Sequence, residues 1–208
     1  MTHHSTQNPQ LATILEAIHN HDYPDSIEQI KAYVAELEAH ERFYPASQLL
    51  SHTRERYQSI RQFQTETAQG KWWQSDTAQD EVWITQKQAF FTYKNPELPP
   101  RTRFNDTLLL LEEIGLRDAT NCNAETLALG GAAYKRKWQH FGQLEDLIEA
   151  LFFYRAAFER NPKQDKGYGG VNAAFILDLL ADRAKQIARR SGIKFNESEA
   201  SNFSDQAA

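Results

Sequence analysis

The chain has 208 residues, 40% hydrophobic and 12% aromatic, enough to bury roughly 70% of its unfolded surface and too aromatic for a disordered chain. Its 23 basic against 28 acidic side chains leave a net charge of −5, a field that repels a phosphate backbone and argues against nucleic acid as a partner. A single cysteine, Cys122, excludes an intrachain disulfide and a thiolate zinc cluster, which fits a cytoplasmic protein.

The first residues lack a basic region followed by an apolar core, and no apolar run approaches the ~18 residues of a membrane span, so secretion and membrane insertion are not expected. With only 9 Gly and 7 Pro and no alternating strand pattern, the expectation is an all-α protein of about eight helices. Residues 1–8 read as a disordered N-terminus. Pro9 opens a first helix with Leu11, Ile14, Leu15 and Ile18 on one face. Asp25 or Ser26 caps a second, whose stripe is Ile27, Ile30, Val34 and Leu37, and Tyr44-Pro45 is expected to stop it. A longer, wetter helix runs from Ala46 to about Gln69, and residues 70–76 break the pattern.

Val82, Trp83, Gln86, Phe90 and Tyr93 resume helical spacing up to the rigid corner Asn95-Pro96-Glu97-Leu98-Pro99-Pro100. Phe104, Leu108, Leu111 and Ile114 define the next helix, which stops near Gly115. Asn123 or Thr126 begins another, carrying Leu127, Gly131, Tyr134 and Trp138, and Gly142 separates it from Leu144–Arg160. A last helix covers about Tyr168–Arg190, and residues 196–208 read as a polar, disordered tail. The expected organisation is an N-terminal helical segment over 9–78 and a helical-repeat region over 79–195.

The second half carries a repeat signal. Ala150, Tyr154, Ala157 and Pro162 are spaced as in the second helix of a tetratricopeptide pair: a small residue for close approach, an aromatic knob, another small residue, then a terminating proline. In the same ~34-residue register, Tyr168, Val171, Asn172 and Phe175 fall where the following first helix places its packing residues. Gly131 and Tyr134 fit a first helix, but Tyr134 lies sixteen residues before Ala150 where about nine is usual, so an insertion is expected around Lys135–Gln143.

The segments Thr92–Pro100, Glu125–Trp138, Tyr154–Glu159 and Asp165–Leu177 resemble the TRAFs-binding tetratricopeptide-like region found beside the kinase domain of apoptosis-signal-regulating MAP kinase kinase kinases and in many bacterial proteins, the bacterial branch most closely. Gly167–Leu177 is the most specific piece. The resemblance implies a regulatory or scaffolding region without enzymatic activity, which in the kinases binds adaptor proteins and in bacteria serves signalling or defence systems as a sensor or scaffold. Family members usually continue into further hairpins where this chain stops, as a short version, a fragment or half of a split system would.

Chemistry is sparse. None of the seven histidines stands at metal-ligand spacing with a cysteine or as HExxH; His19, His21 and Asp22 read as turn surface. Glu112-Glu113 and Glu145, Asp146 and Glu149 read as solvated helix faces rather than acid–base pairs. Gly167-Tyr168-Gly169-Gly170 superficially suggests a phosphate cradle but lacks a preceding strand and the following lysine, so close helix packing is the stronger reading. No catalytic residue, metal or cofactor is therefore expected.

Lys135, Arg136 and Lys137 beside Trp138 and His140 form a basic-aromatic patch, either a solvated face or a site for an acidic partner. Trp72-Trp73 cannot both face one core direction, and the pair reads either as core or as a second partner hot spot. The expected partner-binding residues are thus Arg136, Lys137, Trp138, Lys166, Tyr168, Asn172, Trp72 and Trp73. The preferred function is a protein or peptide scaffold. The competing reading is a domain that senses a nucleotide or other phosphorylated molecule, and self-association is a third.

Overall fold

The computed structural model describes residues 9–67, 76–118 and 122–191. The expected disordered ends, residues 70–75 of the break expected over 70–76, and both Trp72 and Trp73 lie outside the described residues, and Asp76 begins a helix instead. The described residues form nine helices and, among them, no strand. The chain divides at Leu110 and Leu111 into two compact units.

The first unit holds α1 (Pro9–His19), α2 (Ile27–Ala39), α3 (Phe43–Thr67), α4 (Asp76–Lys94) and most of α5 (Pro100–Glu113). The predicted stripes form its core: Leu11, Ile14 and Ile18 of α1 and Ile30, Val34 and Leu37 of α2 pack with Leu49, Leu50, Ile84 and Phe91. Ser26, not Asp25, caps α2, accepting the Gln29 N–H at 3.2 Å. Asp25 instead pairs with Arg56, whose guanidinium also donates to the Pro24 and Asp25 carbonyls and so pins the α1–α2 connection to α3.

Tyr44-Pro45 does not stop α2. That helix ends at Ala39, and both residues lie in the first turn of α3, where proline's missing N–H would have had no helical acceptor in any case. The proline corner behaves as expected. Asn95 is buried, its side chain accepts the Glu97 N–H and its carbonyl accepts from Arg103, before Pro100 begins α5.

The second unit holds the end of α5, α6 (Ala124–Phe141), α7 (Leu144–Arg160), the single turn α8 (Pro162–Asp165) and α9 (Tyr168–Arg190). Asn123 caps α6 by accepting the Thr126 N–H at 2.9 Å. Gly142, at φ 73°, ends α6 in the left-handed conformation that favours glycine and turns the chain into α7 within two residues. No insert separates the pair. α6 is an unbroken 18-residue helix and α7 has 17, so the extra spacing between Tyr134 and Ala150 goes into longer helices. Helix α7 packs against both α6 and α9, which also touch each other, the stacking of antiparallel hairpins that defines a tetratricopeptide-like fold.

Candidate partner-binding face

Tyr154 organises the second unit. It is 1% exposed, and two helices approach it so closely that only glycine fits. A Cβ on Gly131 of α6 would stand 2.8 Å from the Tyr154 ring, and one on Gly169 of α9 would stand 2.6 Å from the Tyr154 carbonyl oxygen. Tyr134 stacks on Phe153 at 5.6 Å and receives a hydrogen bond from Arg117, which also pairs with Glu112 and Glu149. Burial raises the Tyr134 phenol above its ordinary range, with Arg117 opposing that shift.

The turn into α9 is built from Lys166 at φ 51° and Gly167 at φ 81°. Both carboxylate oxygens of buried Asp165 accept the Gly169 N–H at 2.8 Å. The glycine run is therefore a close-packing device whose helix end already holds an acidic group. A phosphate at this N–H would have to displace Asp165.

This packing brings α6 and α9 side by side. Lys135 of α6 donates to Asn172 Oδ1 of α9 at 2.7 Å, and its ammonium lies 4.7 Å from the centre of the Phe175 ring. Asn172 in turn donates to the Tyr168 carbonyl at 2.8 Å, which fixes its amide so that the oxygen faces the lysine. Lys135 is half-buried, and among the described residues no carboxylate pairs with it. Its pKa is lowered, first by burial and then by the neighbouring Arg136. Around it, Tyr168, Val171 and Phe175 are 51%, 72% and 47% exposed.

The expected site residues therefore separate. Asn172 and Tyr168 lie on this face, and exposed Arg136, next to Lys135 in the chain, bonds only weakly to Gln139 at 3.3 Å. Lys166 is exposed in the turn preceding Tyr168. Lys137 turns the other way: it pairs at 2.9 Å with Asp146 of α7, which is 4% exposed, and its ammonium lies 5.7 Å from the Tyr134 ring centre. Trp138 is half-buried. Val171 and Phe175, expected as packing residues, are exposed instead, because α7 covers the Gly169, Ala173 and Ile176 side of α9. Sequence reasoning missed Lys135 as the central group; the signal available was its 37-residue offset from Asn172, close to the repeat length.

The remaining chemistry is structural. Cys122 is 2% exposed, its thiol donates weakly to the Asn123 carbonyl, and burial raises its pKa to about 11, so it is no thiolate near neutral pH. In the first unit the His21 ring is held by the Tyr23 hydroxyl at 3.1 Å, and Tyr23 stacks on His52. No described helix is long and apolar enough to cross a membrane.

Hairpins nested on glycine and tyrosine, stacked in register and exposing one aromatic-basic face, define a tetratricopeptide-like protein of the class that serves interaction or sensing. Residues 52–177, more than half of the chain, match the family described as Tetratricopeptide Repeats-Sensor, and the chain belongs to that family. No curated protein and no solved structure matches it.

Proposed function

We propose that the chain is a non-catalytic regulatory scaffold whose α6–α9 face receives an acidic segment of a partner protein, in a bacterial signalling or defence system related to the TRAFs-binding region of the kinases named above. One observation carries this reading: Lys135 is a half-buried cation without a carboxylate partner among the described residues, steadied by Asn172 and the Phe175 ring. A cation partly withdrawn from water costs free energy unless an anion joins it, so its retention beside exposed apolar surface fits a group waiting for a partner's charge. Phe175, Val171 and Tyr168 supply the apolar contact around that charge and Arg136 a second cation. Lys137, engaged by Asp146, we assign to the fold.

The test uses the full chain as bait and compares Lys135→Glu and Phe175→Ala with the parent. Both variants are expected to lose the captured partner while their unfolding midpoints stay within about 2–4 °C of the parent, as a change worth no more than about 0.5 kcal/mol would leave them. Capture that survives Lys135→Glu refutes the site. The second reading, a nucleotide or other phosphorylated molecule held by the same Lys135 and Arg136, draws on the same uncompensated cation and on the sensor description of the family. It predicts a thermal shift with nucleotides that Lys135→Met abolishes, with no protein partner required.

A further inference from the structure

The inner side of α7 is buried through Leu147, Ala150, Phe153, Tyr154 and Ala157. Its outer side is not. Glu145, Ile148, Phe152 and Arg155 are all exposed, Ile148 by 50% and Phe152 by 56%. Their separations of three, four and three residues place them in one stripe of an α-helix. Two large apolar side chains one turn apart on a charged helix exceed the scattered single exposure ordinary for a surface.

The stripe is a palindrome in chemistry: acid, apolar, apolar, base. The level of Ala150 lies midway between Glu145 and Arg155 and midway between Ile148 and Phe152. A two-fold axis at that level would set two copies of α7 antiparallel. Ile148 of each copy would then meet Phe152 of the other, and Glu145 of each would meet Arg155 of the other. A parallel arrangement would set like charges against each other at both ends, so charge selects the antiparallel one. Arg155 is available for this: its ion pair with Glu159, one turn along the same helix, is 3.3 Å long and both side chains are more than half exposed. Glu145 has no ion pair among the described residues.

We propose that this face of α7 is a self-association surface whose occupant is a second copy of the chain, docked antiparallel with two Glu145–Arg155 pairs flanking the Ile148 and Phe152 contacts. One helix pair buries less than the roughly 1,200–2,000 Å² of a stable interface, so the dimer is a reversible one with a Kd on the order of micromolar to tens of micromolar. The surface is separate from Lys135 and its neighbours, and the proposal stands whether or not that site binds a partner.

The experiment is sedimentation velocity on the full chain from about 1 to about 200 µM, a range spanning the expected Kd. A concentration-dependent monomer–dimer equilibrium is expected. Glu145→Arg and Arg155→Glu should each weaken it about tenfold, since each removes two pairs and creates two like-charge contacts. The double charge swap should restore the parent Kd to within about threefold, and Phe152→Ser should abolish the dimer. Far-UV circular dichroism and thermal midpoints keep misfolding distinguishable from loss of the interface. Monomers throughout the range, a dimer indifferent to all four variants, or single-swap losses that the double swap does not repair would each overturn the proposal. So would a monomer that captures a different protein through Phe152.

Discussion

Three glycines of the second unit permit one graded experiment. Replacing glycine by alanine inside a helix ordinarily stabilises by about 0.5–1 kcal/mol through backbone entropy. Against that gain stands what the new Cβ meets. At Gly131 it meets the Tyr154 ring at 2.8–3.0 Å, and over-packing of a filled core costs about 1–3 kcal/mol, so Gly131→Ala should destabilise by about 0.5–2 kcal/mol. At Gly169 it meets the Tyr154 carbonyl oxygen at 2.6 Å and the Asp165 carboxylate at 2.8 Å.

Neither neighbour at Gly169 is a flexible tip, and the cap on α9 is disturbed as well, so Gly169→Ala should cost about 2–4 kcal/mol. At Gly170 the nearest atoms belong to the Phe158 ring at 3.1 Å, and that side chain is 41% exposed and can swing aside. Gly170→Ala should therefore be neutral or stabilising by up to about 1 kcal/mol. Thermal unfolding of the full chain by circular dichroism reads the series. In a unit of this size each kcal/mol moves the midpoint by about 4–8 °C, so Gly131→Ala should fall on the order of 5–10 °C and Gly169→Ala further. If Gly131→Ala or Gly169→Ala equals or exceeds the parent, the close approach of three helices at Tyr154 is not what holds this unit together.

Lys137→Met leaves the carboxylate of Asp146, 4% exposed, without its cation. It should destabilise by about 3–5 kcal/mol in urea unfolding, and the double variant Lys137→Met/Asp146→Leu should regain most of that. Lys135→Met, two residues away, should leave the urea midpoint close to the parent's, because its ammonium pairs with no carboxylate among the described residues and leaves no buried acid behind. Cys122 should resist a thiol reagent at neutral pH and react rapidly only in denaturant. Since its folded pKa is raised from 9.0 to about 11, the folded state holds the proton that the unfolded chain releases first. Its contribution to stability is thus complete below pH 9 and lost as pH climbs toward 11, which alkaline unfolding of a Cys122→Ala variant should show as a shallower decline.

Much of the fold was legible because local chemistry and tertiary structure agree. Asn123 and Ser26 are N-caps by residue type and by geometry, Gly142 is a left-handed helix end, and Ala150, Tyr154 and Ala157 occupy the knob-and-gap positions their spacing assigns. The failures have specific causes. Pro45 reads as a stop in sequence because proline both follows helices and begins them, and only the position of α3 decides which. The long interval between Tyr134 and Ala150 could equally hold a loop or two longer helices. Nothing local to Lys135–Gln143 separates these, since that stretch contains no helix breaker before Gly142. Tyr168, Val171 and Phe175 share a helix face by spacing, but periodicity reports which residues point together, not whether another helix covers them.

The candidate site shows the same limit at finer grain. Lys135 and Lys137 sit two apart, about 200° around α6, so whatever meets one cannot meet the other. Sequence treats them as one basic patch; the helix sends one to the buried acid of its own hairpin and the other to the amide and ring of the next repeat. The first cation is matched within the fold, and removing it should destabilise the unit. The second is unmatched by any acid among the described residues, and removing it should leave the fold standing while partner capture fails. That opposition between neighbouring lysines of equal charge follows from helical geometry alone, and it separates a recognition face from a solvated one more sharply than the patch itself can.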